Sequence, residues 1–404
     1  MRIKHRPEDF IVVEQARLPL SQAGPYAIYK VEKRGVTSLS VQVQIAAHLN
    51  RPQSDVQVPA LKDKASIATQ YLSLKGTGPS QIDGDGFSAE FVGRSPRPLR
   101  PSDLTGNHFR LVLRDLTPDQ ATSITSRLDE IARYGLPNYF DQQRFGSYSP
   151  GYGFIGKAIL ERDAEASVRA YLARPFIGDP PHVREFKQVA DERWGDWTGL
   201  MQVAPRPSNY RRLLTYLKDH PDDYRKALNL IPRRLLSLFL VAYQSYLWNR
   251  IAVAYLDQSL ADTPCFDLTI LDHRHPVYRH LPAPLQSELV EMRLALPQHR
   301  AAYPQPTLAP AVRQVLASEG LDLNDLKARI LQKAYLPKSK RPLLLFPGEI
   351  SPAQLEPDDR FPGRQAARVS FSLPSGSYAT LVVKSLVPQD IPEHRSKPQK
   401  GKEP

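Results

Sequence analysis

The order of strand-like and helix-like segments limits the possible architecture more than any other feature of this sequence. Alternating apolar and polar residues, typical of strands, mark FIVVEQ (10–15) and YAIYKVEKR (26–34) near the start. Strand-like segments return near the end in PLLLFP and AARVSFSLP, and the long stretch between is rich in Ala, Leu and Arg with helical periodicity. We therefore predict an α+β fold in which a mainly helical domain is inserted into a domain built on a mixed sheet.

The helix 118–134 has the most clearly marked ends. Thr117 can cap it, Gln120 completes a capping box, and Gly135 follows the last turn. The segment 233–257 is apolar over much of its circumference, which predicts a buried central helix. Further helices are predicted at 37–50 with Thr37 as N-cap, 208–220, 309–320 and 323–332.

These segments divide the 404 residues into four parts. The first part of the sheet domain is predicted at 1–155, the helical insertion at 156–344, and the second part of the sheet domain at 345–388. Residues 389–404 contain too few apolar side chains to offset the entropy of ordering, so we expect a disordered basic tail.

Composition narrows the class of protein. The net charge of +12 and pI near 9.6 favour a polyanionic partner such as nucleic acid, although many basic proteins have other tasks. The single cysteine, Cys265, allows no intramolecular disulfide and fits a reducing compartment. No apolar run approaches the roughly 18 residues of a membrane span, and no apolar stretch of a signal peptide follows the N-terminus. We therefore expect a cytoplasmic protein without a membrane partner.

Asp63 is the first candidate for chemistry. It lies between Lys62 and Lys64 in VPALKDKASIATQ, and two nearby cations favour an ionised carboxylate, which can act as a nucleophile or a base. A loop aspartate in surface ion pairs gives the same pattern, and spacing alone favours that reading.

Two aromatic segments could bind RNA. In GNHF (106–109), Asn107 could hydrogen-bond a base edge and Phe109 could stack on a base. The alternative is a turn whose glycine and asparagine adopt positive φ, followed by a core phenylalanine. PNYFDQQRFG (137–146) mixes three aromatic residues with Arg144, which suits a domain hinge or an RNA-facing surface equally.

Metal and nucleotide-cofactor sites have little support. DHRHPVYRH (272–280) contains three histidines, but without a matching set of carboxylates or cysteines it is read as a solvated basic loop. LKGTGPS and IDGDGFS match neither phosphate-binding loop fingerprint, so they are read as turns.

Seven segments, taken in order, resemble the TruD family of pseudouridine synthases. They are IKHRPEDFIVVE, YAIYKVEKRGVTSLSVQVQIA, LKDKASIATQ, LTGNHFRLVLRDL, GLPNYFDQQRFG, LFLVAYQSYLWN and SFSLPSGSYATLVV. The resemblance implies a pseudouridine synthase catalytic domain interrupted by an inserted helical TRUD domain. It also implies isomerisation of a uridine in RNA to pseudouridine, usually uridine 13 in the D-arm of tRNA, by a monomer without cofactor or metal.

The resemblance also assigns roles to individual residues. Asp63 matches the catalytic aspartate, acting as nucleophile or base. Asn107 and Phe109 match the pair that holds and stacks the target base, and the residues expected to contact substrate are Lys4, Phe10, Glu14, Asn107, Phe109 and Arg144. The alternatives are a noncatalytic RNA-binding protein that keeps the pocket and a synthase that acts on a different RNA.

The sequence departs from the family pattern at a few positions. Ala60 stands where glycine is usual, three residues before Asp63, and Asp141 replaces the glycine of NYFG. Ser375 and the pair Lys384–Ser385 also differ. Because Lys62, Asp63, Asn107 and Phe109 are retained, these changes indicate a divergent but active member.

Overall fold

The computed structural model describes residues 1–206 and 208–387, so the predicted tail at 389–404 lies outside the described residues. Contacts divide the chain into two compact units. The sheet unit comprises Met1–Leu136, Phe266–Leu268 and the described residues from Leu345 onward. The helical unit comprises Pro137–Cys265 and Thr269–Leu344. The predicted boundaries at 155/156 and 344/345 stay a prediction.

The elements follow the predicted order of strands, helices and strands. The strands are β1 (Phe10–Ala16), β2 (Tyr26–Arg34), β3 (Val56–Gln57), β4 (Ile67–Lys75), β5 (Gln81–Gly84), β6 (Phe87–Ser95), β7 (Leu104–Leu116), β8 (Leu136–Pro137), β9 (Tyr148–Ser149), β10 (Gly153–Phe154), β11 (Cys265–Ile270), β12 (His273–Tyr278), β13 (Arg293–Ala295), β14 (Lys340–Pro342), β15 (Leu344–Leu345), β16 (Gly348–Pro357) and β17 (Gln365–Pro374). The helices are α1 (Ser38–His48), α2 (Pro118–Tyr134), α3 (Ile155–Leu160), α4 (Ala164–Ala173), α5 (Pro181–Glu192), α6 (Trp197–Val203), α7 (Tyr210–Asp219), α8 (Tyr224–Leu230), α9 (Arg233–Ser259), α10 (Ala283–Glu291), α11 (Leu308–Ser318) and α12 (Ala379–Leu386).

The sheet unit is built on one mixed sheet in the order β16-β17-β7-β1-β4-β2-β6-β5, with β3 paired to β4. β1 and β4 are parallel, and the other pairs along this path are antiparallel. β17 pairs with β7 over most of its length, so strands from both ends of the sequence meet within the sheet. The predicted α+β fold with a mixed sheet is confirmed.

The helices of the sheet unit begin and end for the reasons anticipated from sequence. Thr37 caps α1 by accepting a hydrogen bond from the Ser40 amide, and Thr117 forms the predicted capping box with Gln120 at α2. Gly135 ends α2 with a positive φ of 68°. One face of α1 packs on β2, β4, β5 and β6 through a buried apolar cluster that includes Val41 and Ile45 of α1 and Tyr29, Val31, Leu72 and Phe87 of the strands.

A buried arginine ties the N-terminal segment to the sheet. The guanidinium of Arg114 on β7 makes two 2.8 Å hydrogen bonds with Asp9 and further bonds with Asp358 at 2.9 Å and Asp359 at 2.5 Å. The backbones of Arg2 and Arg114 also exchange hydrogen bonds of 2.8 and 2.9 Å. Arg114, Asp9 and Asp358 are almost fully buried. Loss of any one of them would leave a buried charge without its partner and destabilise the fold.

The helical unit is organised around α9, the predicted central helix. α3 and α11 pack against it, and α3 approaches closely because Gly156 has no side chain: a Cβ there would lie 2.5 Å from the Phe239 carbonyl oxygen. Two expectations were wrong. Residues 323–332 form only a short 3-10 turn, Leu323–Asp325, and the histidine-rich segment is a strand, β12, in which His275 is buried and not solvated.

Candidate active site

The loop between β3 and β4 presents Asp63 to solvent. Half of its side chain is exposed, and its carboxylate accepts a charged hydrogen bond from Lys4 Nζ. Lys4 Nζ also lies 4.2 Å from the centre of the Phe10 ring. Lys4 has a φ of 55°, a left-handed conformation that is uncommon for a residue with a Cβ. Because half of the Asp63 side chain is exposed, a substrate in solution can reach its carboxylate next to the Lys4 ammonium.

Lys62, adjacent to Asp63, turns toward the sheet instead. Its Nζ pairs with Glu14 Oε1 on β1 at 2.7 Å and donates to Asn107 Oδ1 on β7 at 2.6 Å. Glu14 and Asn107 are opposite each other in the β1–β7 register, which explains how one amine reaches both. Lys62 therefore does not pair with the Asp63 carboxylate, and among the described residues the cation in contact with that carboxylate is Lys4.

The backbone of the loop is also fixed. The Asp63 carbonyl oxygen accepts hydrogen bonds from Lys33 Nζ at 2.6 Å and from Ser66 Oγ at 2.8 Å. The Lys62 amide donates to Ser38 Oγ at 2.9 Å. Ala60 is not among the residues with positive φ, so its backbone conformation does not require the family's usual glycine. Asp63 is thus held by its main chain while its carboxylate stays accessible.

Asn107 offers a defined hydrogen-bonding group. An ammonium can only donate, so the contact with Lys62 Nζ engages the amide oxygen and leaves the NH₂ group of Asn107 as a donor. This side chain is half-buried. It can donate to a carbonyl oxygen of a bound ligand.

Three phenylalanines line the sheet beside Asn107. The Phe10 and Phe109 rings meet edge to face with centroids 6.0 Å apart, and the Phe109 and Phe371 rings lie 5.8 Å apart. Only 6% of Phe10 and 8% of Phe109 is exposed, so most of each ring already packs against protein. Only a small part of this cluster is therefore open to a ligand.

The glycine of GNHF permits close approach of two strands. A Cβ on Gly106 would lie 2.3 Å from the Leu373 carbonyl oxygen on β17. Gly106 and Asn107 are not among the residues with positive φ, and both lie within β7. The alternative of a positive-φ turn is therefore wrong, and the glycine brings β17 against the strand that carries Asn107.

We expect Gly106→Ala to destabilise the sheet unit by about 1–3 kcal/mol, because the new methyl group meets a backbone oxygen that cannot rotate away. Urea unfolding followed by circular dichroism measures the change. The matched control is Gly348→Ala on β16, where the nearest atom to a new Cβ is 4.0 Å away. Equal stability of the two variants would contradict the close-approach argument.

Arg144 lies in the helical unit, whereas the other predicted site residues lie together in the sheet unit. Its Nε donates to Ser245 Oγ on α9 at 3.0 Å, and its guanidinium is 5.5 Å from the Phe140 ring centre. Asn249 of α9 holds the Phe140 backbone through bonds of 2.9 and 2.8 Å. The segments PNYFDQQRFG and AYQSYLWN therefore pack against each other, and Arg144 takes part in that packing.

No group of three or more His, Cys, Asp or Glu side chains suited to holding a metal occurs within residues 1–206 and 208–387. In the histidine-rich segment, burial lowers the pKa of His275 to about 4, and its ring packs edge to face on Tyr139 at 4.8 Å. No helix in the described part of the chain has the length and apolar character needed to cross a membrane.

Several residues that shape the site were not found from sequence. They are Lys33, Ser38, Ser66, Gln70 and Phe371. The alternation along β2 could have predicted that Lys33 is buried, because Tyr29 and Val31 are buried and Lys33 continues that series. A lysine at a buried strand position requires a polar partner, which here is the Asp63 loop.

Comparisons with known proteins agree with this architecture. The family model for tRNA pseudouridine synthase D (TruD) matches residues 1–386. A protein of Methanococcus maripaludis described as probable tRNA pseudouridine synthase D 1 is 28% identical, with 95% of this chain and 98% of the relative covered. The tRNA pseudouridine synthase D of Aquifex aeolicus is 26% identical, with 97% and 99% covered. A crystal structure from Methanosarcina mazei, described as TruD, superposes with a TM-score of 0.71 at 25% identity and covers 96% of this chain and 94% of that one.

The mixed sheet with an accessible carboxylate in the loop before β4 and a helical unit inserted in the chain agrees with these matches, which define an enzyme of the pseudouridine synthase class. The match over residues 1–386 is more specific: the chain belongs to the TruD family. It is accordingly an isomerase that acts on uridine in RNA. The predicted family and enzyme class are confirmed.

Proposed function

We propose that this enzyme converts uridine 13 in the D-arm of tRNA to pseudouridine, with Asp63 as the catalytic residue. The observation that carries the proposal is the arrangement around Lys62: the Asp63 carboxylate is half exposed, and the adjacent lysine binds Glu14 and Asn107. The relatives' descriptions as tRNA pseudouridine synthases support tRNA as the substrate.

The target base must leave the RNA stack before a protein group can reach its glycosidic bond. We propose that the NH₂ group of Asn107 donates to a uracil carbonyl while the ring contacts the cluster of Phe10 and Phe109. Glu14 has a supporting role, because its ion pair with Lys62 keeps that amine against Asn107.

The reaction breaks the bond between uracil N1 and ribose C1′ and joins C5 to C1′; the C5 proton leaves and N1 takes up a proton, so the net change is an isomerisation. The Asp63 carboxylate would act either as nucleophile at C1′ or as base toward the C2′ proton. Deuterium at C2′ separates these routes, because only proton abstraction gives a primary isotope effect. Lys4 would orient the carboxylate in both cases. Arg144 is proposed as a phosphate or structural contact.

An unmodified tRNA transcript carrying tritium at uridine C5 tests the proposal. We expect stoichiometric release of tritium into water and a pseudouridine mapped at position 13. Tight binding without release would favour a noncatalytic RNA-binding protein. Release from another position, or only from another RNA, would favour a synthase with a different target.

We further propose that the enzyme works in the cytoplasm as a monomer without a metal or cofactor. The family resemblance supports these points. Light scattering coupled to gel filtration measures the oligomeric state, and tritium release after treatment with a chelator tests the metal requirement.

A further inference from the structure

Lys33 is a buried amine directly beneath the proposed catalytic residue. Only 1% of this residue is exposed. Its Nζ donates to the Asp63 carbonyl oxygen at 2.6 Å and to the Val36 carbonyl oxygen at 3.0 Å. Lys33 makes no ion pair with any residue in the described ranges. Its positive charge is therefore stabilised by hydrogen bonds to these two carbonyl oxygens, one of them in the Asp63 loop.

The surroundings of Lys33 make its charge sensitive to pH. Burial lowers the pKa of Lys33 to about 8, with Lys62 acting in the same direction and Asp63 opposing. Its strand neighbours, Ala68 on β4 and Phe87 on β6, are uncharged. Ser38, at the start of α1, is uncharged as well, while Glu32 and Arg34 beside Lys33 on β2 are exposed. Lys30, Glu32, Arg34 and Glu90 line a surface cavity together with Lys33, but the charged groups that shift its pKa are Asp63 and Lys62.

We propose that Lys33 is a positioning residue whose protonated amine holds the Asp63 backbone in its reactive geometry, so that the reaction slows when Lys33 loses its proton. The inference rests on the proposed role of Asp63. A charge-assisted hydrogen bond is about twice as strong as a neutral one, so deprotonation weakens the main-chain contact of Asp63 and removes a cation beside its carboxylate. Small displacements of a catalytic group lower the rate strongly.

The effect of Lys33 deprotonation on the stability of the fold distinguishes a slower reaction from loss of enzyme by unfolding. The pKa of Lys33 is about 8 in the folded protein and 10.5 for an unperturbed lysine, so the unfolded state binds more protons between these values. Through this residue, rising pH stabilises the fold over that range. A fall in the reaction rate above pH 8 without unfolding would therefore indicate a change in the loop that carries Asp63.

Lys33→Met tests the proposal, because methionine keeps an unbranched stem and removes the donor. Single-turnover tritium release from bound transcript is measured from pH 6.5 to 10 beside native enzyme. We expect the rate of the native enzyme to fall with a midpoint near pH 8. The variant should be about ten- to hundredfold slower below the midpoint, with transcript affinity nearly unchanged and the alkaline fall absent.

Lys187 supplies the matched control. It is also a buried lysine whose pKa burial lowers to about 8, but it lies in the helical unit and its Nζ pairs with Asp179 at 2.7 Å. Lys187→Met should keep the alkaline fall in rate. A native rate and pH profile in folded Lys33→Met, with Asp63→Asn inactive, would overturn the inference and leave the proposed function intact. An active Asp63→Asn would instead overturn the proposed function.

Discussion

Replacing Asp63 with asparagine is expected to lower the single-turnover rate of pseudouridine formation by at least about a thousandfold. Asparagine has nearly the same shape, and its amide oxygen can still accept the hydrogen bond from Lys4. It is neutral, however, and serves neither as an effective nucleophile nor as a base. Since half of the side chain is exposed and no buried partner is lost, the fold should keep its stability. Tritium release from excess enzyme over transcript measures the rate.

The control for Asp63→Asn is Asp85→Asn, an exposed aspartate in the turn between β5 and β6. It removes the same charge without touching the loop, so its rate should equal that of the native protein. Transcript affinity of Asp63→Asn should remain within about threefold, which separates lost chemistry from lost binding. A rate close to native in folded Asp63→Asn would assign the chemistry to another group.

Replacing Arg114 with methionine is expected to destabilise the sheet unit by about 3–5 kcal/mol, the range seen when one partner of a buried ion pair is removed. The substitution leaves the Asp9 and Asp358 carboxylates buried without their guanidinium partner. For a unit of this size the melting temperature should fall by roughly 10 °C. Differential scanning calorimetry at pH 7 measures the change.

The pH dependence of the Arg114 cluster follows from its carboxylates. Burial acts to raise the pKa of Asp9 and of Asp358, but hydrogen bonds outweigh it, from Arg114 at Asp9 and mainly from backbone amides at Asp358, so both pKa values fall below the usual 3.8. Their contribution to stability is present above that value and is lost as the pH falls through the lowered pKa values. The gap between native protein and Arg114→Met should therefore persist down to about pH 4 and narrow as the pH falls below 3.8.

Arg110→Met is the matched control for Arg114, because Arg110 is an exposed arginine on the same strand. Its removal should change the melting temperature by no more than about 2 °C, as for most surface substitutions. An equally small change in Arg114→Met would mean that the buried carboxylates find other partners or become protonated at little cost.

The sequence predicted those helices and strands whose ends are fixed by residues close to them in the chain. The ends of α2 were predictable because Thr117, Gln120 and Gly135 act on their own neighbours. Residues 323–332 were mistaken for a helix, since their apolar spacing suits one, but Asp322 caps only the short turn Leu323–Asp325. β12 was missed because a histidine-rich sequence looks solvated until its neighbours bury it.

The site was only partly readable because its contacts join distant parts of the chain. Spacing alone treated Asp63 as a surface residue flanked by lysines, whereas Lys62 binds Glu14 and Asn107 across two strands. The resemblance to a family supplied the grouping that spacing lacked. Lys33 escaped notice because it is thirty positions from Asp63 and reaches its main chain, a contact without a side-chain motif.

The position of β17 also bears on how the protein is made. β17 covers the edge of β7, yet more than two hundred residues are synthesised between these two strands, including the whole helical unit. Until the ribosome releases the last strands, the edge of β7 that carries Asn107 has unpaired backbone N–H and C=O groups. These groups can pair with strands of other chains. A nascent chain truncated before β17 should therefore lack Phe371, remain inactive and depend on chaperones to avoid aggregation.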